Sequence, residues 1–315
     1  MAGSKSPSRD ERPVRLGVSP LSWVNEVLED LGRDISAETC LTEAATAGYD
    51  GVELSRIFPR DATALSGLLA SHGLRLVSGW YSGFLADRGV AEELEVLRDH
   101  ARLLRDCGAR VMVYGECGSM VANALDVPMS RRRRLQGEDW PAYGERLTRF
   151  AEALLDEHGL ALSYHHHLMM VAETLDEIRA LMAATGPSVG LLLDTGHAAA
   201  AGFDYVRLIE DFGSRINHVH LKDVRRAVLA EVRARDMTFN DAVRAGMFTV
   251  PGDGMIDFAP LARFRAGGDY TGWLVVEAEQ DPAIAPPAET VTRAYHFVND
   301  RILRPARRAS VVGGR

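Results

Sequence analysis

Short apolar runs alternate with longer amphipathic segments along most of this chain. The runs are hydrophobic on both faces, which is typical of strands buried on both sides in a parallel sheet. The amphipathic segments begin at capping residues and end at glycines, as in 36–48, which starts at Ser36 and stops at Gly48. This pattern predicts eight strands, at 14–19, 49–54, 74–79, 109–114, 160–167, 187–194, 215–222 and 273–277.

Eight helices are predicted between and after these strands, at 36–48, 62–72, 90–107, 140–158, 174–185, 204–213, 258–266 and 289–303. Strands that alternate with helices in this number predict a single (β/α)8 TIM barrel over 14–303. A doubly wound open sheet is the alternative, but no GxGxxG follows the first strand and the sequence has no Walker A motif.

Two segments interrupt the alternation, at 117–139 and 224–254, and the second contains a predicted helix at 238–245. Loops of this length often wall or cover a binding site. The tails 1–13 and 304–315 are predicted to be disordered, and no composition shift marks a second domain.

The composition is ordinary for a soluble globular protein, with 46% hydrophobic and 25% charged residues. A net charge of −8 argues against nucleic-acid binding, and the run 131–134 of four arginines is interpreted as a solvated segment. No apolar run approaches a membrane span, and the three cysteines show no CxxC spacing. We therefore expect a cytoplasmic protein with a small-molecule partner and without nucleic-acid or membrane partners; a homo-oligomer remains open.

Ionisable residues stand where four of the apolar strands end. They occur in the segments 165–167, 191–197, 218–223 and 277–279. Active sites of TIM barrels lie at the carboxyl ends of the strands, and alternate residues of a strand share a face. We therefore predict that Asp194, His220, Glu277 and one histidine of 165–167 converge. His165 and His167 share a face, so the pattern alone does not choose between them.

Two carboxylates and two imidazoles, without cysteine, suit a catalytic divalent metal. Mn²⁺ and Co²⁺ are the first candidates, with Zn²⁺ and Mg²⁺ as further ones. Such a site leaves positions for water or for the oxygens of a substrate. The alternative at each single position is a structural histidine or a turn-forming aspartate, and the coincidence on four strands is what favours the metal site.

At these residues the chain resembles the sugar isomerase and epimerase superfamily typified by xylose isomerase. The resemblance implies a metal set of His165, Asp194, His220 and Glu277. More narrowly, the chain is similar to the inosose dehydratase family in the segments 18–25, 164–167, 193–197, 218–223, 248–254 and 275–282. It departs from that family at 168–170, where Leu-Met-Met stands in place of an expected Gly-Thr pair.

The narrower resemblance implies a hydro-lyase of inositol catabolism. Such an enzyme removes water from 2-keto-myo-inositol, or a close cyclic polyol ketone, through an enediolate that a metal stabilises. The reaction needs a base and an acid, for which the candidates are Glu277, Lys222 and His197. An ordinary strand-end salt bridge of Lys222 with Asp223 or Asp253 is the alternative for that lysine.

Substrate contacts are predicted for four residues, namely His167, His197, Glu53 and Trp23. Structural roles are the alternative for the last two. Competing functions on the same metal site are a keto-sugar isomerase or epimerase, a carbonyl-glycoside lyase, and a metal-retaining module without activity.

Overall fold

The computed structural model describes residues 14–268 and 270–304. The tails predicted to be disordered lie outside these ranges, apart from Arg304. The strands are β1 (Val14–Val18), β2 (Gly51–Val52), β3 (Arg75–Leu76), β4 (Trp80–Gly83), β5 (Val111–Glu116), β6 (Ala161–His165), β7 (Val189–Asp194), β8 (Ile216–Leu221), β9 (Asp223–Val224), β10 (Phe248–Thr249) and β11 (Gly272–Val276).

Helices follow nearly every strand of the main sheet. They are α1 (Ala37–Ala47), α2 (Ala62–Ser71), α3 (Val90–Asp106), α4 (Trp140–His158), α5 (Leu175–Ala184), α6 (Thr195–Ala201), α7 (Val206–Phe212), α8 (Arg226–Ala234), α9 (Phe239–Arg244), α10 (Ala259–Ala266) and α11 (Pro287–Val298), the last continued by a π-helical turn Asn299–Leu303. Within the described ranges, no helix has both the length and the apolar character to cross a membrane.

The main sheet is parallel throughout and closes into a barrel. Its strand order is β3-β2-β1-β11-β8-β7-β6-β5-β4. β3 pairs with β2 and β4 pairs with β5, yet only three residues separate β3 from β4 in the chain. Hydrogen bonds from Leu54 N to Ser78 O (2.9 Å) and from Val113 N to Gly79 O (3.0 Å) span this gap. The two pieces are therefore halves of one strand, and the predicted (β/α)8 barrel is confirmed.

Local capping chemistry explains where the helices begin and end. Ser36 accepts a hydrogen bond from Thr39 N before α1, and Gly48 ends that helix with φ 106°. Thr174 and Glu177 form a capping box before α5. These caps lie within a residue of the sequence prediction. Helices α6 and α8 were not predicted, and α6 begins directly at Asp194, which accepts from His197 N.

The core lies between the barrel and its helices. Leu162, Leu191, Leu193, Val219 and Leu274 are fully buried there. Burying each such side chain contributes about 1.5–3 kcal/mol to the free energy of unfolding. A smaller apolar cluster joins the insertion 224–254 to the loop after β6, with members Leu168, Met169, Val224, Leu229, Phe239 and Phe248.

The two insertions meet above the carboxyl ends of the strands. Pro128 and Thr238 form an antiparallel bridge, and Ser130 Oγ donates to Asp236 at 2.5 Å. Arg132, expected to be solvated, is instead buried: it donates to Met170 O (2.9 Å) and Glu177 Oε1 (2.6 Å). The insertion 117–139 thereby holds the loop that follows the three histidines.

Candidate metal centre

Four buried side chains meet at the carboxyl end of the barrel, namely His165, Asp194, His220 and Glu277. One ligand atom of each lies within 4.8 Å of the others. Asp194 and His220 are direct partners in the register of β7 and β8, and Glu277 follows β11 with its amide bonded to Leu221 O (3.1 Å). Parallel pairing therefore places these strand ends side by side. We call this set the four-residue cluster.

Hydrogen bonds orient both imidazoles toward the centre of the cluster. His165 Nδ1 donates to the carbonyl oxygen of His166 (2.7 Å), which leaves its Nε2 as the atom 3.5 Å from Asp194 Oδ2. His220 Nε2 donates to Glu53 Oε1 (3.1 Å), and its Nδ1 lies 3.7 Å from Asp194 Oδ2. Histidines that bind metals are commonly fixed through the second ring nitrogen in this way.

Two buried polar atoms of the cluster lack a hydrogen-bond partner in the described part of the chain. Among the described residues, Asp194 Oδ2 and His220 Nδ1 have no hydrogen-bond partner, and both are shielded from solvent. His220 Nδ1 lies 2.7 Å from Glu277 Oε2, a charge contact between two members of the cluster. Unpaired buried polar atoms are costly, so the donor set fits a bound cation.

The cluster is strongly charged. Burial alone would raise the pKa of Glu277, but attraction to His220 and Lys222 lowers it to about 2. Burial would likewise lower the pKa of His220, yet Glu277 and Glu53 raise it well above the ordinary range. A divalent cation would therefore compete with the proton of His220.

Lys222 is fully buried next to the cluster. Its Nζ lies 2.6 Å from Glu277 Oε1, 3.1 Å from Glu279 Oε2 and 3.9 Å from Asp194 Oδ2. Burial would lower the pKa of Lys222, but Glu277 and Glu279 raise it, so that the ammonium keeps its proton. In the metal-free chain Lys222 is therefore a cation shared by these two carboxylates.

Lys222 does not form the alternative salt bridge with Asp223 or Asp253 that the sequence suggested. Asp223 instead accepts backbone amides of Gly252 and Gly254, both at 3.1 Å. Asp253 pairs with Arg225 at 2.8 Å.

A second buried group contains His167, His197 and Glu279, with ligand atoms within 4.8 Å of one another. Lys222 Nζ lies 3.0 Å from His197 Nε2 and 3.1 Å from Glu279 Oε2. An ammonium thus already occupies the place that a cation would take. This arrangement separates the two candidate histidines at the end of β6: His165 belongs to the four-residue cluster and His167 to the second group.

A cavity of about 560 Å³ opens onto the four-residue cluster. Its polar wall includes Glu53, His165, His167, His220, Glu277 and Glu279. Glu53 also accepts from His218 Nε2 (3.1 Å) and Ser78 Oγ (2.6 Å). Glu53 therefore holds two histidines in place in addition to facing the cavity.

Two predicted substrate contacts are corrected by the geometry. Trp23 is completely buried, donates from Nε1 to Glu43 Oε2 (2.6 Å) and does not line the cavity. His197 is buried behind Lys222 and is not part of the cavity wall either.

Two cavity residues were missed as site residues. Glu279 shares a strand face with Glu277, and this period of two was the signal that could have identified it. Trp80 follows the predicted third strand and lines the same cavity. Its exposure depends on contacts distant in sequence, for which the sequence carries no local signal.

Comparison with known proteins matches residues 41–299 to the xylose isomerase-like TIM barrel family. The chain is 46% identical to the rhizopine catabolism protein MocC of Rhizobium meliloti, over 87% of this chain and 84% of that protein. It is 39% identical to inosose dehydratase of Geobacillus thermodenitrificans, over 92% of this chain and 98% of the enzyme.

A crystal structure of the IOLI protein with a zinc atom matches the fold with a TM-score of 0.65. That likeness has 14% sequence identity and covers 90% of this chain and 96% of the other. The family match over most of the chain and the near full-length relatives agree with the barrel topology. The chain therefore belongs to the xylose isomerase-like TIM barrel family, together with the inosose dehydratases.

Proposed function

We propose that this protein is a metal-dependent hydro-lyase that removes water from 2-keto-myo-inositol or a close cyclic polyol ketone. The observation that carries the proposal is the 39% identity to an inosose dehydratase across 98% of that enzyme's length. The four-residue cluster, with its unpaired buried atoms, supplies the chemistry that such a reaction needs.

The proposed ligands of the metal are His165 Nε2, Asp194 Oδ2, His220 Nδ1 and Glu277. Oxygen and nitrogen donors of this kind suit Mn²⁺ or Co²⁺ first, and also Zn²⁺ or Mg²⁺. The zinc atom in the structure of the IOLI protein supports a divalent ion in this fold. When bound, the ion would supply Lewis acidity for the enolisation of a ketone.

The chain's own residues would handle the protons. The base takes the proton from the carbon beside the ketone, and the acid gives a proton to the hydroxyl that leaves from the next carbon as water. Glu277 and Glu279 face the cavity and are the proposed groups for these transfers. Lys222 lies behind them and does not line the cavity, so we assign it the role of holding both carboxylates in position.

The direct test is to incubate the purified protein with Mn²⁺ and 2-keto-myo-inositol and to record the product by mass spectrometry. We expect the loss of one water and the appearance of the ultraviolet absorbance of a conjugated dione. A product of unchanged mass would show that the protein is an isomerase or epimerase and not a dehydratase. Metal binding without turnover of any polyol ketone would show that the protein is a metal-retaining module without enzymatic activity.

A second candidate substrate comes from the relative with higher identity. The chain is 46% identical to a rhizopine catabolism protein, against 39% for the dehydratase. The same incubation should therefore include a rhizopine and its keto derivative. Turnover of these in preference to 2-keto-myo-inositol would change the substrate assignment. The proposed metal site would be unaffected.

Replacement of Glu53 by glutamine is expected to weaken metal binding about 10- to 100-fold, because second-shell carboxylates orient metal-binding histidines. Burial would raise the pKa of Glu53, but His220 and His218 lower it, so its charge is part of this contact. Affinity is measured by competition with a chelating dye.

The matched control is Glu43→Gln, which alters a carboxylate bonded to Trp23 Nε1 and not to a histidine of the cluster. That variant should bind metal as the unmodified protein does. Equal affinities for the Glu53 and Glu43 variants would contradict the orienting role of Glu53.

A further inference from the structure

Trp80 lines the cavity and is far more exposed than Phe239, which lines it too. Its side chain is 37% exposed, whereas Trp23 and Trp140 are 0% and 7% exposed. Its Nε1 donates to Ser82 Oγ at 2.9 Å, so the polar edge of the indole already has a partner. What remains available to a ligand is the apolar surface of the ring.

The indole lies next to the four-residue cluster. Its ring centroid is 5.5 Å from that of His165 and 6.0 Å from that of His167, both in edge-on contact. A molecule that reaches the cluster through the cavity therefore lies within reach of this ring.

The neighbouring strand leaves room for the ring in this position. Gly115 on β5 pairs with Ser82 on β4. A Cβ atom at Gly115 would lie 2.1 Å from Trp80 Cη2 and 2.2 Å from Cζ2. Any side chain at 115 would displace the indole. The exposed face of the indole, which we call the platform, therefore depends on Gly115 as well as on Trp80.

We propose that Trp80 is a specificity-determining residue that receives one face of a cyclic polyol next to the metal cluster. A six-membered polyol ring with mainly equatorial hydroxyls presents flat faces of axial C–H bonds, which pack well on an aromatic ring. An open-chain polyol with the same number of carbons and hydroxyl groups has no such face. This inference rests on the proposed function for the identity of the substrate.

Enzyme kinetics test the platform directly. Trp80→Leu keeps apolar bulk without the aromatic face, and we expect it to raise KM for 2-keto-myo-inositol about tenfold with a smaller change in kcat. Inhibition by myo-inositol should weaken while inhibition by sorbitol, its open-chain counterpart, stays constant. Trp80→Phe should fall between the two proteins, and Gly115→Ala should reproduce the rise in KM.

Fluorescence gives a readout that a purely structural role would not produce. The chain has four tryptophans, and titration with myo-inositol should change their emission in the unmodified protein. The change should disappear in Trp80→Phe and persist in the control Trp140→Phe, which alters a tryptophan outside the cavity wall. All variants are compared in the Mn²⁺-loaded form.

An unmodified protein without a fluorescence response, or a Trp80→Leu variant with unchanged KM and unchanged ratio of the two inhibition constants, would overturn the platform. The titration needs no turnover. A protein that binds myo-inositol through Trp80 but leaves 2-keto-myo-inositol intact would therefore remove the dehydratase assignment and keep the platform.

Discussion

Replacement of Asp194 by asparagine is expected to lower kcat/KM about a thousandfold, which corresponds to about 4 kcal/mol of transition-state stabilisation. Asparagine has nearly the same size, and its Oδ1 can still accept from His197 N and cap α6, as Asp194 does at 2.7 Å. What it removes is the negative charge at Oδ2, the buried atom without a partner. The variant should therefore fold, and its bound metal should fall well below one ion per chain.

Asp223→Asn is the matched control for this experiment. Asp223 is also a buried carboxylate beyond the end of β8, but its oxygens accept backbone amides, among them those of Val224 (2.8 Å) and Ile256 (2.9 Å). The substitution should cost about 1–3 kcal/mol of stability, because an amide donor would face amide donors, and should leave metal content unchanged. Elemental analysis and thermal melts separate the two effects. Full metal occupancy with normal activity in Asp194→Asn would disprove the ligand assignment.

The architecture could be predicted because short-range physics determines most of it. A short run that is apolar on both faces is stable mainly as a strand buried on both sides in a parallel sheet. Capping residues such as Ser36 define where helices begin. The four-residue cluster was predictable for the same reason, since parallel strands bring their carboxyl ends to one side. The choice between His165 and His167 was not, because both lie on one face and only their distance from Asp194 separates them.

The predictions that were wrong concern side chains whose contacts are with residues distant in sequence. Lys222 precedes Asp223 directly, yet its carboxylate partners are 55 and 57 positions later, at Glu277 and Glu279. Trp23 stands after the first strand, where a substrate contact was predicted, but Glu43 of α1 holds its indole in the core. Helix α6 was missed because an aspartate before Thr-Gly suggests a turn, whereas here the same carboxylate caps a helix.

Removal of the Lys222 charge is expected to have the largest effect on the stability of the metal-free protein. Lys222→Met keeps the length of the stem, which packs against Gly196, and removes the ammonium that lies 4.6 Å from the centre of the Phe248 ring. It leaves Glu277 and Glu279 buried without their shared cation. Breaking a buried ion pair from one side costs about 3–5 kcal/mol, so the free energy of unfolding should fall by that amount at neutral pH. Activity should be lost as well, because both carboxylates lose their positioning contact.

The pH dependence of this loss has a definite sign. In the unmodified protein the pKa of Glu277 is about 2, below the ordinary 4.5, so the pairing stabilises the fold above about pH 4.5 and is lost as pH falls toward 2. Burial already raises the pKa of Glu279, and loss of Lys222 raises it further, whereas His220 still attracts Glu277. The charge of Glu279 therefore destabilises the variant increasingly as pH rises above about 4.5. The difference between the two proteins should therefore be smallest at acid pH near 2, substantial by pH 5 and largest at neutral pH.

Urea unfolding of chelator-treated protein at pH 5 and pH 7.5 measures this difference. Arg244→Met is the control, because it removes an exposed cation paired with Asp30 and should change stability little at either pH. Metal should still bind the Lys222 variant, since the four-residue cluster is intact, and should restore part of the lost stability by mass action. Equal stability of Lys222→Met and the unmodified protein at pH 7.5 would show that Lys222 does not neutralise these carboxylates.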